Sequence, residues 1–302
     1  MSISRYPLWR YSLFQVPLGG FILCLIIALL SFLLGWGRPS LAMAIALDLS
    51  GSTYPQGSTL FVPGSVSAAE VEAVQEYLDL SSTELKVPNE IWVFGFGDTV
   101  QPLINDFSTN TARISQDLEK QLLRGDILAK EVGDGTNLGL AITEGVKKLQ
   151  TFDDRCRELL LVTDGAVEID PAAISQAVLA KVKIHSIVVG NESPALAATS
   201  TTSRGVYIGS ATPNELKRLF REDVFTNLNS NLRWIIFWLG MAWICLMWTL
   251  VLPLDRWIFQ GFRGLPMDLS GKFSLLNALF WSAATPGILW RITGGLAFLF
   301  SC

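Results

Sequence analysis

Two long stretches without a single charge decide what this chain can be. The first lies between Arg10 and Arg38 and contains FILCLIIALLSFLLGW. The second spans Trp234 to Leu254, between Arg233 and Asp255-Arg256. Each is long enough to cross a hydrocarbon layer of roughly 30 Å. The second carries Trp234, Trp238, Trp243 and Trp248, and the first of these stands where an aqueous interface would fall. A secretory signal is the competing reading of the first stretch, because Ala42-Met43-Ala44 looks like an A-x-A cleavage site. Cleavage there would cut the apolar run LAMAIALDLS, which reads as the opening strand of a domain, so an uncleaved transmembrane helix is expected.

These stretches divide the chain. Residues 1–38 form a cytoplasmic amino terminus and a first transmembrane helix. Residues 39–232 form a globular domain, 233–256 a second transmembrane helix, and 257–302 a basic loop with an apolar carboxy-terminal segment. Pro286-Gly287 and Arg291 interrupt that last segment. A third span, a re-entrant pair and an interfacial helix all remain open for it. Arg5, Arg10, Arg256, Arg263 and Lys272 fall on one side of the proposed spans, Arg38 and Arg233 on the other. The positive-inside rule then places the middle domain outside the cytoplasm, in a periplasm or equivalent space.

Charge is distributed to match. Residues 39–232 hold 15 Lys/Arg against 25 Asp/Glu, a net of −10, while the remainder holds 8 against 2, a net of +6. An acidic domain excludes nucleic acid as the expected partner and suits cations or basic surfaces. Basic residues flanking apolar spans suit contact with a lipid bilayer.

Within the domain, apolar strands alternate with amphipathic helices. Strands are expected at Ala42–Leu47, Ile91–Phe96, Glu158–Thr163, Lys183–Val189 and Val206–Ile208. Helical spacing joins Val71, Val74 and Leu78, then Leu138, Ile142 and Leu149, then the stretch Asn214–Val224. Such alternation implies right-handed βαβ units and an α/β, doubly wound, mostly parallel Rossmann-like sheet flanked by transmembrane helices. Ligands of such sheets bind beyond the carboxyl ends of the strands, at the point where strand order reverses.

The chain's polar motifs fall at that edge. The first strand ends in Asp48-Leu49-Ser50-Gly51-Ser52, a D-x-S-x-S sequence. Gly133-Asp134-Gly135-Thr136-Asn137 precedes a helix, and the strand ELLLVT runs into Asp164-Gly165. Asp48, Ser50, Ser52, Thr136 and Asp164 thus offer three hydroxyls and two carboxylates from three loops. Hard oxygen donors suit Mg²⁺ first, with Mn²⁺ or Ca²⁺ as alternatives, rather than zinc. The set is too small to saturate an ion, so water or a carboxylate from another molecule must complete it.

This ordered combination resembles the von Willebrand factor A family and its metal-ion-dependent adhesion site, across about residues 40 to 228. The resemblance implies that Ser50, Ser52 and Thr136 supply hydroxyl ligands, and that Asp48 and Asp164 act directly or through water. It also implies that an acidic side chain of a protein partner takes the open coordination position. Neutral ligands leave the cation electrophilic, which favours such an arriving carboxylate. With its flanking spans, the chain is similar to the bacterial Bat (aerotolerance-type) proteins and their cyanobacterial-type relatives. Members of that kind are linked to MoxR-type AAA+ ATPases. One departure concerns Thr53–Val66, TYPQGSTLFVPGSV, which reads as a loop beside the metal, with Tyr54, Leu60 and Phe61 as a partner-contacting rim or a cover for the sheet edge.

Enzymatic chemistry finds little support. His185 is the single histidine and lies in an alternating strand, where a packed role is expected. There is no G-x-S-x-G elbow and no P-loop. Gly95-Phe96-Gly97 lacks the third glycine of a dinucleotide fingerprint, and Ser50 stands where a haloacid-dehalogenase-like phosphatase needs a second aspartate. The four cysteines are far apart, with no CxxC. The expected function is therefore a membrane-anchored binding or assembly module, not an enzyme. It would bind a divalent cation and use it to dock an acidic residue of a protein partner. The alternatives are a regulatory subunit working with an AAA+ ATPase and a structural membrane subunit with an inactive site.

Overall fold

The run LAMAIALD has no polar residue before its terminal aspartate, so it can sit only where both faces are covered. It forms the centre of the sheet. In a computed structural model, which describes residues 7–51, 65–122, 124–165, 169–262, 264 and 266–293, every residue of this strand is buried. The elements in chain order begin with α1 (Ser12–Leu34), β1 (Leu41–Asp48), α2 (Val66–Glu84), β2 (Glu90–Phe96) and β3 (Val100–Pro102). Then come α3 (Thr111–Leu122), α4 (Gly125–Val132), α5 (Leu138–Leu149), β4 (Cys156–Thr163), α6 (Pro171–Leu179) and β5 (Val182–Val189). The last are α7 (Pro194–Thr202), β6 (Tyr207–Ala211), α8 (Pro213–Leu219), α9 (Thr226–Asn229), α10 (Leu232–Thr249), α11 (Val251–Pro253) and α12 (Met267–Thr293).

The chain divides into two compact units. One runs Pro39–Asn229; the other joins the residues up to Arg38 with those from Ser230 onward. The first unit holds a six-stranded sheet in the order β3-β2-β1-β4-β5-β6. All neighbours are parallel except β3, which returns antiparallel along β2. Strand order reverses between β1 and β4, where the chain first works outward to β2 and later resumes on the opposite side. The register sets Leu47 beside Val162, so Asp48 and Thr163 end their strands level with each other.

The expected strands are all present, with small differences at their ends. β3 was not among them. It has three residues, closes a tight return after Gly97, and ends in Pro102, which an edge strand tolerates because no ladder donor is needed there. Helix starts follow the local chemistry. The Ser65 hydroxyl accepts from Ala68, Asn137 from Leu140 and Asp170 from Ala172, each filling an orphan amide of a first turn. Pro171, Pro194 and Pro213 occupy the first helical position of α6, α7 and α8. The helix expected over Asn214–Val224 is α8, continued by a widened turn over Phe220–Phe225.

Two polar clusters tie α2 and the sheet to later elements. Asn89 donates to the Tyr77 hydroxyl at 3.1 Å and to Asn229 Oδ1 at 2.8 Å, which accounts for a tyrosine and two asparagines in the core. Burial pushes the Tyr77 phenol up to about 12. Glu76 on α2 pairs with Arg221 and, at 3.4 Å, with Lys217.

The second unit is helical. Ser12–Leu34 and the continuous helix Leu232–Gly261 are both long and apolar enough to cross a membrane. They pack together, and Asn231 Nδ2 donates to the carbonyls of Ser31 at 2.6 Å and Trp36 at 2.9 Å, satisfying the open end of α1. Gly37 adopts φ +79° directly against Trp234, where an added Cβ would come within 2.3 Å of the ring. α12 lies along α10, joined by Trp248 Nε1 donating to Ser282 Oγ at 2.9 Å and by an edge-on contact of Trp243 with Trp281. The apolar tail thus continues as one helix through Pro286 as far as Thr293.

Candidate functional site

The loop after β1 carries Asp48, Leu49, Ser50 and Gly51. Asp48 is fully buried, and each of its carboxylate oxygens is held. Oδ1 accepts the Ser50 amide at 2.9 Å, and Oδ2 accepts the Thr163 hydroxyl at 2.5 Å. The first bond folds the loop back on itself; the second crosses the reversal point to β4. Thr163 Oγ1 in turn accepts the Gly165 amide at 3.0 Å, so one hydroxyl fixes both Asp48 and the turn that carries Asp164. Burial pushes the Asp48 carboxyl above its ordinary range. The bonds from Ser50 and Thr163 pull it down, and the Asp164 charge pushes it up again.

The third loop precedes α5 and is fitted by glycines. The Gly51 amide donates to the Asp134 carbonyl at 3.1 Å, joining this loop to the one after β1. Gly133 has φ +87°, a conformation that side-chain-bearing residues avoid. The Asn137 amide donates to the Gly97 carbonyl at 2.8 Å, and the Gly135 amide donates to Asp98 Oδ2 at 3.1 Å. A Cβ on Gly97 would stand 2.6 Å from the Gly133 carbonyl oxygen. The loop after β2 is therefore the floor on which the Thr136 loop rests.

The structure accordingly brings Asp48, Ser50, Thr136 and Asp164 to one edge of the sheet, at the β1–β4 reversal. Asp48 and Ser50 are buried, whereas Thr136 and Asp164 are half-buried. Ser52 lies outside the described residues, as do Tyr54, Leu60 and Phe61 of the expected rim. Among the described residues no three His, Cys, Asp or Glu side chains are arranged to hold one metal ion between them. A site built from hydroxyls and one or two carboxylates would not form such a group.

Two residues of this edge escaped the sequence reading. One is Thr163. The other is Glu70 on α2, which is 1% exposed, with neither carboxylate oxygen meeting a hydrogen-bond partner among the described residues. Burial holds its carboxyl well above the ordinary range, and the charges of Asp48 and then Asp164 add to the shift. Glu70 is four and eight residues before Val74 and Leu78, on the stripe that faces the core. An acidic residue on an apolar stripe was the available signal.

Comparison with solved structures bears on the fold. A von Willebrand factor type A protein from Catenulispora acidiphila matches with a TM-score of 0.50 at 17% identity. That match covers 63% of this chain but 43% of the other, less than half its length. The fold is that of a von Willebrand factor A domain. An aerotolerance-related membrane protein from Bacteroides fragilis is similar over 61% of this chain and 98% of its own, at 15% identity and TM-score 0.45. Proximal thread matrix protein 1 from the mussel byssus, in a form with a zinc-occupied MIDAS motif, is similar over 63% of this chain and 48% of its own, at 16% identity and TM-score 0.47. No family model and no curated protein matches the sequence.

A von Willebrand factor A fold invites a test of whether this edge fits a cation. The donors are all oxygen, which suits a hard divalent ion. Asp48 brings both carboxylate oxygens to this edge, one oriented by the Ser50 amide and the other by the Thr163 hydroxyl. Glu70 is a buried carboxyl with no hydrogen-bond partner among the described residues, and the charges of Asp48 and Asp164 add to the cost of ionising it without a positive charge. The residues present fit a divalent cation.

His185 belongs to a different place and task. Its Nε2 lies 2.6 Å from Glu158 Oε2, and its Nδ1 accepts the Val206 amide at 3.0 Å. The accepting Nδ1 puts the ring proton on Nε2, which donates to Glu158. Lys183 Nζ adds a bond to Glu158 Oε1 at 3.1 Å. Both imidazole nitrogens are thereby committed to holding β4, β5 and the approach to β6 together.

Proposed function

We propose that this protein is a membrane-anchored von Willebrand factor A domain that binds a divalent cation, Mg²⁺ in the first instance, at the β1–β4 edge. It uses the ion to dock an acidic residue of a protein partner, as a binding module rather than an enzyme. The observation that carries this reading is the coupling of the three loops. Asp48, the Thr163–Gly165 turn and the Asp134–Thr136 loop are joined to one another by hydrogen bonds, which supports oxygen donors from all three acting on one ion. Asp48, Ser50, Ser52, Thr136 and Asp164 would hold the ion. Bound there, it would supply an electrophilic centre for an arriving carboxylate. The protein's own side chains would orient that centre, and His185, bonded at both nitrogens, is not free to act as a general base.

Membrane anchoring is supported by the exposure of α1, whose Val16, Phe32 and Leu33 are each more than 60% exposed along a helix without charge. Such a surface is stable against lipid and costly against water. The domain would face away from the cytoplasm.

Titration of Mg²⁺ and Mn²⁺ into the full-length protein in detergent, followed by calorimetry, tests the reading. Saturable binding that disappears in Asp48→Ala and in Thr136→Ala is expected. Binding retained in both variants would place the ion elsewhere and defeat the proposal.

A further inference from the structure

The motif that defines the edge accounts for two of its carboxylates, Asp48 and Asp164. It leaves the third unexplained. Glu70 sits one turn into α2, on the same helical face as the buried Val71 and Val74. Its side chain has almost no exposure, and both oxygens are sealed from solvent without a hydrogen-bond partner among the described residues. A buried polar group is nearly always bonded, so an unbonded carboxylate marks a missing positive or donor group. Other acidic residues in this fold unit are treated differently. Glu76, six residues along the same helix, has Arg221 and Lys217, and buried Glu158 has His185 and Lys183. Glu70 has no cation from the described residues; the charged groups it does feel are Asp48 and Asp164, the carboxylates of the candidate cation site.

We infer that Glu70 is a further acidic residue of the cation site, unassigned by the five-residue motif, which counters the ion's charge from the α2 side. The inference rests on the reading of the edge as a cation site. Glu70 does not converge with other carboxylates on one point, so it acts from outside the direct ligand set, on the ion's charge and water shell. An acidic charge added from outside the ligand set favours a small, hard, still-hydrated ion over a softer one. That charge also leaves the bound ion less electrophilic than the motif alone would, which weakens its hold on an external carboxylate.

Glu70→Gln keeps the shape and removes the charge. The probes are Mg²⁺ and Mn²⁺ alone, titrated into full-length protein in detergent, with thermal unfolding measured in chelator and in saturating metal. Three results are expected together: the variant binds Mg²⁺ about tenfold or more weakly, its melting temperature in chelator rises above that of the wild type, and its metal-induced rise in melting temperature shrinks. Glu70→Asp, which keeps the charge, should retain most of the metal-induced rise. If Glu70→Gln binds Mg²⁺ like the wild type while Asp48→Ala does not bind, the cation site stands and the role of Glu70 is overturned. If the wild type itself binds no metal, or Asp48→Ala binds normally, the cation-site reading fails and the inference falls with it.

Discussion

Thr163 gives its hydroxyl proton to Asp48 Oδ2 across 2.5 Å, linking the ends of β4 and β1. The two strands are neighbours only because the order of the sheet reverses between them. Thr163 is fully buried, and its oxygen also takes the Gly165 amide. One side chain therefore sets the orientation of Asp48 and the path of the chain into Asp164.

Thr163→Val preserves the branched shape and deletes the hydroxyl. It leaves a buried carboxylate oxygen short of a donor, a loss of about 1–3 kcal/mol. It also frees the Asp48 carboxylate to rotate, which should weaken Mg²⁺ binding by roughly 10–100-fold. Thr163→Ser should restore most of both. Thermal unfolding and calorimetric titration of the two variants check this, and a Val variant with wild-type affinity would show that Asp48 needs no such positioning.

Gly97 makes a second test of how the site is built. An alanine Cβ there would meet the Gly133 carbonyl at 2.6 Å and the Val132 side chain at 2.6 Å. Backbone cannot yield as a flexible side chain does, so the Thr136 loop must shift. Gly97→Ala should cost about 1–3 kcal/mol and lower Mg²⁺ affinity, although residue 97 bears no ligand. Gly190→Ala is the control for positive-φ strain without a clash, since its site is open and its φ is +94°. It should destabilise while leaving metal affinity unchanged.

Most of the sheet could be read in advance because its strands are continuous apolar runs between turn residues, and burial on both faces leaves such runs no other place. β3 could not, since three residues ending in proline carry no periodicity; its pairing arises from the tight return after Gly97. The positions of Asp48, Ser50, Thr136 and Asp164 at one edge follow from their order relative to the strands. The role of Thr163 depends on β1 and β4 being level, a register that periodicity does not specify. Glu70 was legible in principle, as an acid on the Val74–Leu78 stripe, but a single charge on such a stripe is outweighed by its apolar neighbours in any pattern count.

Glu158 controls the acid limb of stability. Burial alone would raise its carboxyl, but the hydrogen bond from His185 and the bond and charge of Lys183 outweigh this, and its pKa lies below the ordinary glutamate range. A depressed folded-state value contributes stability in full above the unfolded value of about 4.3 and loses it as pH falls through the folded value. Glu76, lowered by Arg221 and Lys217, acts in the same direction. Stability should therefore fall steeply below about pH 4. Glu158→Gln should make that fall shallower and cost about 3 kcal/mol at neutral pH by leaving Lys183 without its buried partner. Denaturation midpoints of both proteins between pH 3 and pH 7 (a range set by about 4.3 as the unfolded reference) give the answer. Parallel curves would remove Glu158 from the account.

The proposed placement of the domain outside the cytoplasm rests on the basic residues. In sequence, Arg5, Arg10, Arg256, Arg263 and Lys272 lie on one side of the proposed spans, and Arg38 and Arg233 on the other. Cytoplasmic loops retain Lys and Arg because translocating them is unfavourable, so the richer end stays inside. Ser82, exposed near the end of α2, is a neutral site for a reporter thiol. In intact cells, or spheroplasts where an outer layer bars the reagent, Ser82→Cys should react with a membrane-impermeant maleimide without lysis. The wild type should give no signal at that position. Labelling of the variant only after lysis would put the domain in the cytoplasm. A partner would then have to be sought there, and the five basic residues at the other end would be an exception to the rule.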